Sequence, residues 1–125
     1  MNKRERVLVV DGNPLSLQSL ARLLRTEGYE VLEASTGRAA VGFARSAPPE
    51  LALVEAGLPD MTSQELCEQI KAEPDLAAVF VVLLLLPGAS REGAGMAKQA
   101  GADGHVTRPA ESAELLACKF RRRSP

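Results

Sequence analysis

Few residues in this chain carry groups that could do chemistry, and most of them stand alone. His105 is the only histidine. It has no second His, Cys or carboxylate at the spacing a metal site needs. It therefore reads as a partly buried strand residue or a pH-sensitive contact. Cys67 and Cys118 lie far apart and form no metal-type pair, so two free thiols in a reducing cytosol is the simpler reading. The glycine-rich stretch 88–95 (GASREGAG) matches neither GxGxxG nor the Walker pattern, and no Lys-Ser/Thr follows it. Of the 16 acidic and 15 basic side chains, the carboxylates Asp11 and Glu55 and the cation Arg108 fall at the ends of expected strands. Such carboxylates can hold a hard cation or attack phosphorus, provided the fold brings them together.

The elements that must position them alternate along the chain. Residues 7–10 (VLVV) form a short β-branched run, as expected of a strand buried on both faces. Asn13-Pro14 then supplies a cap and a first helical residue, Leu17, Leu20 and Leu24 recur at helical spacing, and Gly28 ends the segment. Residues 30–34 read as strand and 36–45 as helix, closed by Pro48-Pro49. Residues 51–55 read as the third strand, followed by the loop 56–61. Thr62 and Glu65 have capping-box spacing ahead of Leu66 and Ile70, and Pro74 ends that helix. Residues 79–85 are the most apolar stretch and read as the sheet centre. Residues 90–100 form a weaker helix, because Gly93 and Gly95 each cost about 1 kcal/mol relative to Ala. Residues 104–107 are the last strand and 111–122 the last helix.

Five β-then-α units in one short chain imply an α/β architecture, a parallel sheet with helices on both faces. In such folds ligands sit at the carboxyl ends of the strands. Those ends carry Asp11-Gly12, Glu55, Leu85-Leu86 and Arg108-Pro109.

Composition narrows the function. The 125 residues fit one domain, and 46% are apolar, enough for a packed core. With no Trp, one Tyr and three Phe, the chain lacks the aromatic platform on which single-stranded nucleic acids stack. A formal net charge of −1 gives no field that would draw nucleic acid or anionic membrane. The basic clusters at the two ends read as solvated termini. No apolar run is long enough to span a bilayer and no export signal is apparent, so the expected location is the cytoplasm.

Six segments in order resemble the receiver domains of bacterial two-component response regulators. They are residues 7–14 (VLVVDGNP), 28–31 (GYEV), 51–61 (LALVEAGLPDM), 65–67 (ELC), 101–103 (GAD) and 107–109 (TRP). The resemblance covers nearly the whole chain. It implies a three-layer doubly wound (βα)5 flavodoxin-like fold with strand order 2-1-3-4-5. Residues 1–122 would form the domain and 123–125 the start of a linker or tail.

The same resemblance shows where the chain departs from its family. A working receiver has two adjacent acids after strand one, an Asp ending strand three, a Ser or Thr ending strand four, and a Lys before the last Pro. Here the pair is Asp11-Gly12, the acceptor position is Glu55, the hydroxyl position is Leu85 and the Lys position is Arg108. The aromatic switch position on strand five is His105. Gly12 offers no metal ligand, so Mg²⁺ is not an expected cofactor, and Asp11 and Glu55 remain as weak metal candidates. Glu55 carries one methylene too many, and a misplacement of about 1 Å can cost on the order of 100-fold in rate. Glu55 could instead hold a fixed charge that loosely imitates a phosphorylated Asp, or stand as a solvated carboxylate. Leu85 has no donor for a phosphoryl group. Arg108 keeps a positive charge as a planar fork, and either pairs with Glu55 or Asp11 or faces solvent.

The expectation is a pseudo-receiver that is not an enzyme and acts by protein–protein contact with a histidine kinase, an output domain or an adaptor. By analogy the contact face is helix four, strand five and helix five, with Met96, Gln99, His105, Glu114 and Lys119 on it, and it could also support a homodimer. Two alternatives stand beside this. One is a working phosphorelay receiver using Glu55 or Asp60 as acceptor. The other is a small flavodoxin-like nucleotide or FMN binder.

Overall fold

A computed structural model describes residues 5–85 and 91–107. Strand β1 (Arg6–Val10) leads to helix α1 (Pro14–Thr26), β2 (Glu30–Ala34) to α2 (Gly37–Ser46), and β3 (Leu51–Glu55) to α3 (Ser63–Ala72). A 3-10 turn over Pro74–Leu76 precedes β4 (Phe80–Leu85), α4 (Arg91–Gln99) and β5 (Gly104–Thr107). All strand pairs are parallel, in the order β2-β1-β3-β4-β5. The chain thus has the flavodoxin-like α/β fold with helices packed on both sides of the sheet.

The local causes are those the sequence suggested. The Asn13 side chain accepts from the amides of Leu15 and Ser16 at 2.9 and 3.2 Å, with Pro14 as the first helical residue of α1. Gly28 takes φ +97° after the helix ends. Thr62 and Glu65 complete both halves of a capping box at the start of α3.

Period-two alternation then sorts the strands into two apolar layers. Leu8, Val10, Ala52, Val54, Val81 and Leu83 pack with Val41 of α2 and Leu66 and Ile70 of α3. Val7, Val9, Leu51, Leu53, Val82 and Leu84 pack with Leu17, Leu20 and Leu24 of α1. Each fully buried Leu or Val of this kind contributes about 1.5–3 kcal/mol.

Three details differ from the sequence reading. The middle strand is β3, not the more apolar β4, and every residue of β3 is buried. Apolarity reports helices covering both faces of a strand, which β4 shares, and carries no information about its place in the order. Next, Pro74 ends α3 but also opens a turn that buries Leu76. Finally, β4 starts at Phe80, one residue later than its apolar run. The expected last helix, with Glu114, Cys118 and Lys119, lies outside the described residues, as do Leu86 and Arg108.

Candidate functional site

The parallel register brings the carboxyl ends of β1, β3 and β4 to one rim. Val10 stands opposite Val54, so Asp11 and Glu55 follow on neighbouring strand ends. Both are buried, each 4% exposed. That corrects the picture of Glu55 as a solvated carboxylate: the end of β3, the middle strand, is enclosed as fully as its interior.

Asp11 is tied down by the turn that follows it. Its amide donates to the Ala34 carbonyl at 3.0 Å, and its Oδ1 accepts from the Asn13 amide at 2.9 Å. Its Oδ2 is buried with no hydrogen-bond partner among the described residues. Such an oxygen is costly to keep and marks a place on this rim where a cation or proton donor would be welcome.

Gly12 faces the loop after β3. A methyl group at position 12 would stand 3.1 Å from the Gly57 carbonyl oxygen and 3.4 Å from Pro59 Cδ. Gly57 itself has φ +83°, a conformation that favours glycine. The loop therefore lies close against position 12, and the glycine there is what allows that approach.

The β4 side of the rim is apolar. Leu85 is 7% exposed and belongs to the core layer shared with α2 and α3. Leu83 pairs with His105 and Leu85 with Thr107, so Leu85 and His105 project from the same sheet face two residues apart. His105 is exposed rather than partly buried, because β5 is the edge strand among those described. It lines an open groove of about 440 Å³ with Lys98, Ala102 and Asp103. Met96 and Gln99 on α4 are exposed too.

The parallel sheet in this order is matched by comparison with known proteins. The family model for the response regulator receiver domain matches residues 7–118. The chain belongs to that family. This receiver is 36% identical over 111 residues to the transcriptional regulatory protein KdpE of Mycobacterium tuberculosis, covering 89% of the chain and 47% of KdpE. It is 25% identical over 111 residues to protein PilH of Pseudomonas aeruginosa, covering 89% of the chain and 91% of PilH. Among solved structures, the chemotaxis response regulator CheY4 of Vibrio cholerae superposes with a TM-score of 0.86 at 26% identity, covering 95% of this chain and 98% of that one. The receiver thus spans about half the length of the transcriptional regulators it matches, and nearly all of PilH.

Asp60, which the sequence offered as an alternative acceptor, has both oxygens engaged. Its Oδ1 accepts from the Gly37 amide at 2.8 Å and its Oδ2 from the Arg38 amide at 3.0 Å. These two bonds hold its carboxyl below the usual carboxylate range. The side chain reaches across to cap α2, a role the sequence reading missed. One signal was available: the first turn of α2 has no acid of its own. Cys67 is buried in the α3 layer, and burial pushes its thiol up to about 11, so it stays protonated and unreactive at neutral pH. No helix among the described residues is long and apolar enough to cross a membrane.

Proposed function

We propose that this receiver works without phosphorylation, as a protein-interaction module within two-component signalling. The observation that carries the reading is the rim itself: Glu55 buried at the end of β3, with a glycine beside Asp11 and a core leucine at the end of β4. Glu55 occupies the acceptor position with a longer side chain, so in-line attack on a phosphoryl donor loses its alignment. Leu85 has no hydroxyl to donate a hydrogen bond to a phosphoryl group, and His105 replaces the aromatic residue that would follow that movement inward.

The residues present also fit Mg²⁺ poorly. The orphan Oδ2 of Asp11 suits a cation. Position 12, however, supplies no side-chain oxygen, and among the described residues there is no cluster of three His, Cys, Asp or Glu side chains that could hold a metal. Mg²⁺ prefers near-octahedral oxygen ligation and gains little from an incomplete set. With the acceptor chemistry weakened at three points, signalling falls to the surface. His105 lines the α4–β5 groove and Met96 and Gln99 are exposed elsewhere on α4, a face where a kinase, output domain or adaptor would dock.

The test is exposure of the purified chain to acetyl phosphate and, separately, to beryllofluoride, each with Mg²⁺. The expected result is no mass increase and no shift in the amide spectrum. Phosphate incorporation that disappears in Glu55→Ala would overturn the reading. Asp60 is not favoured as a substitute acceptor, because its two oxygens already cap α2.

A further inference from the structure

The loop between β3 and α3 is held at three points, and each holds it closed. Leu58 is buried in the core layer beneath α2 and α3. Asp60 accepts from the Gly37 and Arg38 amides at 2.8 and 3.0 Å. Met61 packs so tightly on Gly37 that a Cβ added there would overlap its side chain. Two of these anchors meet at the first residue of α2, so the loop and the start of that helix are joined. At its other end, the same loop sets the Gly57 carbonyl oxygen over position 12, with Pro59 beside it.

We propose that Asp60 and Met61 form a latch that fixes this loop to the N-terminus of α2 and so keeps the rim shut over Gly12. The closure is then a built-in contact and not merely the absence of an acid at position 12. A side chain there would meet backbone that has nowhere to go while the latch holds. The loop, the start of α2 and the turn after β1 move as one body. A displacement at the rim is passed to the start of α2. This goes beyond the phosphorylation-independent reading and concerns the loop alone.

A double-mutant cycle tests it, because coupling between position 12 and Asp60 is what the latch requires. Gly12 does not have a positive φ, so alanine there would ordinarily be neutral or slightly stabilising. With the latch intact, Gly12→Ala should lower the melting midpoint by about 4 °C. In an Asp60→Ala background the same substitution should lower it by less than half as much. In parallel, Asp60→Ala should speed hydrogen exchange at the Gly37 and Arg38 amides by about tenfold. The Val81 amide, which donates to Asp103 at the opposite end of the sheet, serves as the unchanged control. If Asp60→Ala melts too low to measure, Asp60→Asn keeps one acceptor oxygen and should give intermediate coupling. Equal shifts from Gly12→Ala in both backgrounds, or unchanged exchange at 37 and 38, would overturn the latch. Neither readout involves phosphate, so phosphorylation of the wild-type chain would remove the earlier reading and leave this one intact.

Discussion

At the scale of single residues, the rim is a place where polarity and burial are in tension. Asp11 keeps one oxygen bonded to the Asn13 amide and the other buried without a partner among the described residues. Asparagine at this position would retain an acceptor for the Asn13 amide and remove a charge from a dry site. A neutral amide costs less to bury than a carboxylate. Asp11→Asn should therefore raise stability by about 1 kcal/mol. Urea unfolding at neutral pH, at constant m value, measures this. A loss of that size would mean that Oδ2 is paired in solution after all. The identities of these residues were legible in the sequence, because apolar runs announced the strands that they terminate. The burial of Glu55 was not legible. A carboxylate next to a loop reads as exposed until the neighbouring strands are known to extend beside it.

At the scale of elements, helix starts divide into those read locally and those completed from afar. Thr62 and Glu65 cap α3 from within three residues, and that box was visible as a spacing. Thr62→Ala removes the acceptor for the Glu65 amide, now at 3.0 Å, and should cost about 1 kcal/mol in urea unfolding. The start of α2 is different. Thr36 caps the Ala39 amide, but the Gly37 and Arg38 amides are satisfied by Asp60, more than twenty residues away. No local pattern encodes such a cap. It carries a pH signature. The folded carboxyl of Asp60 sits below its ordinary value because it accepts these two amides. Its contribution is thus complete above the unfolded pKa and is lost as pH falls through the lower folded one. Asp60→Asn should flatten the fall in stability below about pH 4.5 and leave the neutral limb parallel to wild type. Thermal melts across the acid range decide this. An unchanged acid limb would show that the two bonds do not survive in solution.

At the scale of the whole molecule, the order of the strands came from the resemblance and their number from the alternation of patterns. Neither showed what ties the far end of the sheet, opposite the rim. There Lys71, in the last turn of α3, places its Nζ 2.6 Å from Asp103 Oδ2, 2.6 Å from the Val79 carbonyl and 3.3 Å from that of Ala77. Asp103 in turn accepts from the Val81 amide at 2.8 Å. One ammonium thus joins α3, the entry to β4 and the entry to β5. The sequence could not show this, since Lys71 and Asp103 each look like ordinary surface charges. Their side chains are 20% and 22% exposed, so the pair is partly screened by solvent and is worth less than a fully buried one. Lys71→Met keeps the apolar stem and removes the charge. It leaves two carbonyls without that donor and Asp103 with only its amide. A loss of about 1–3 kcal/mol is expected. The loss should be smaller in an Asp103→Asn background, because the two substitutions remove the same contact. Because the pair is only partly exposed, adding salt to the wild type should erode little of the effect. Additive losses, or a wild-type stability that drops in salt to the level of Lys71→Met, would show that the clamp is a surface pair and that β5 is held by its backbone ladder alone.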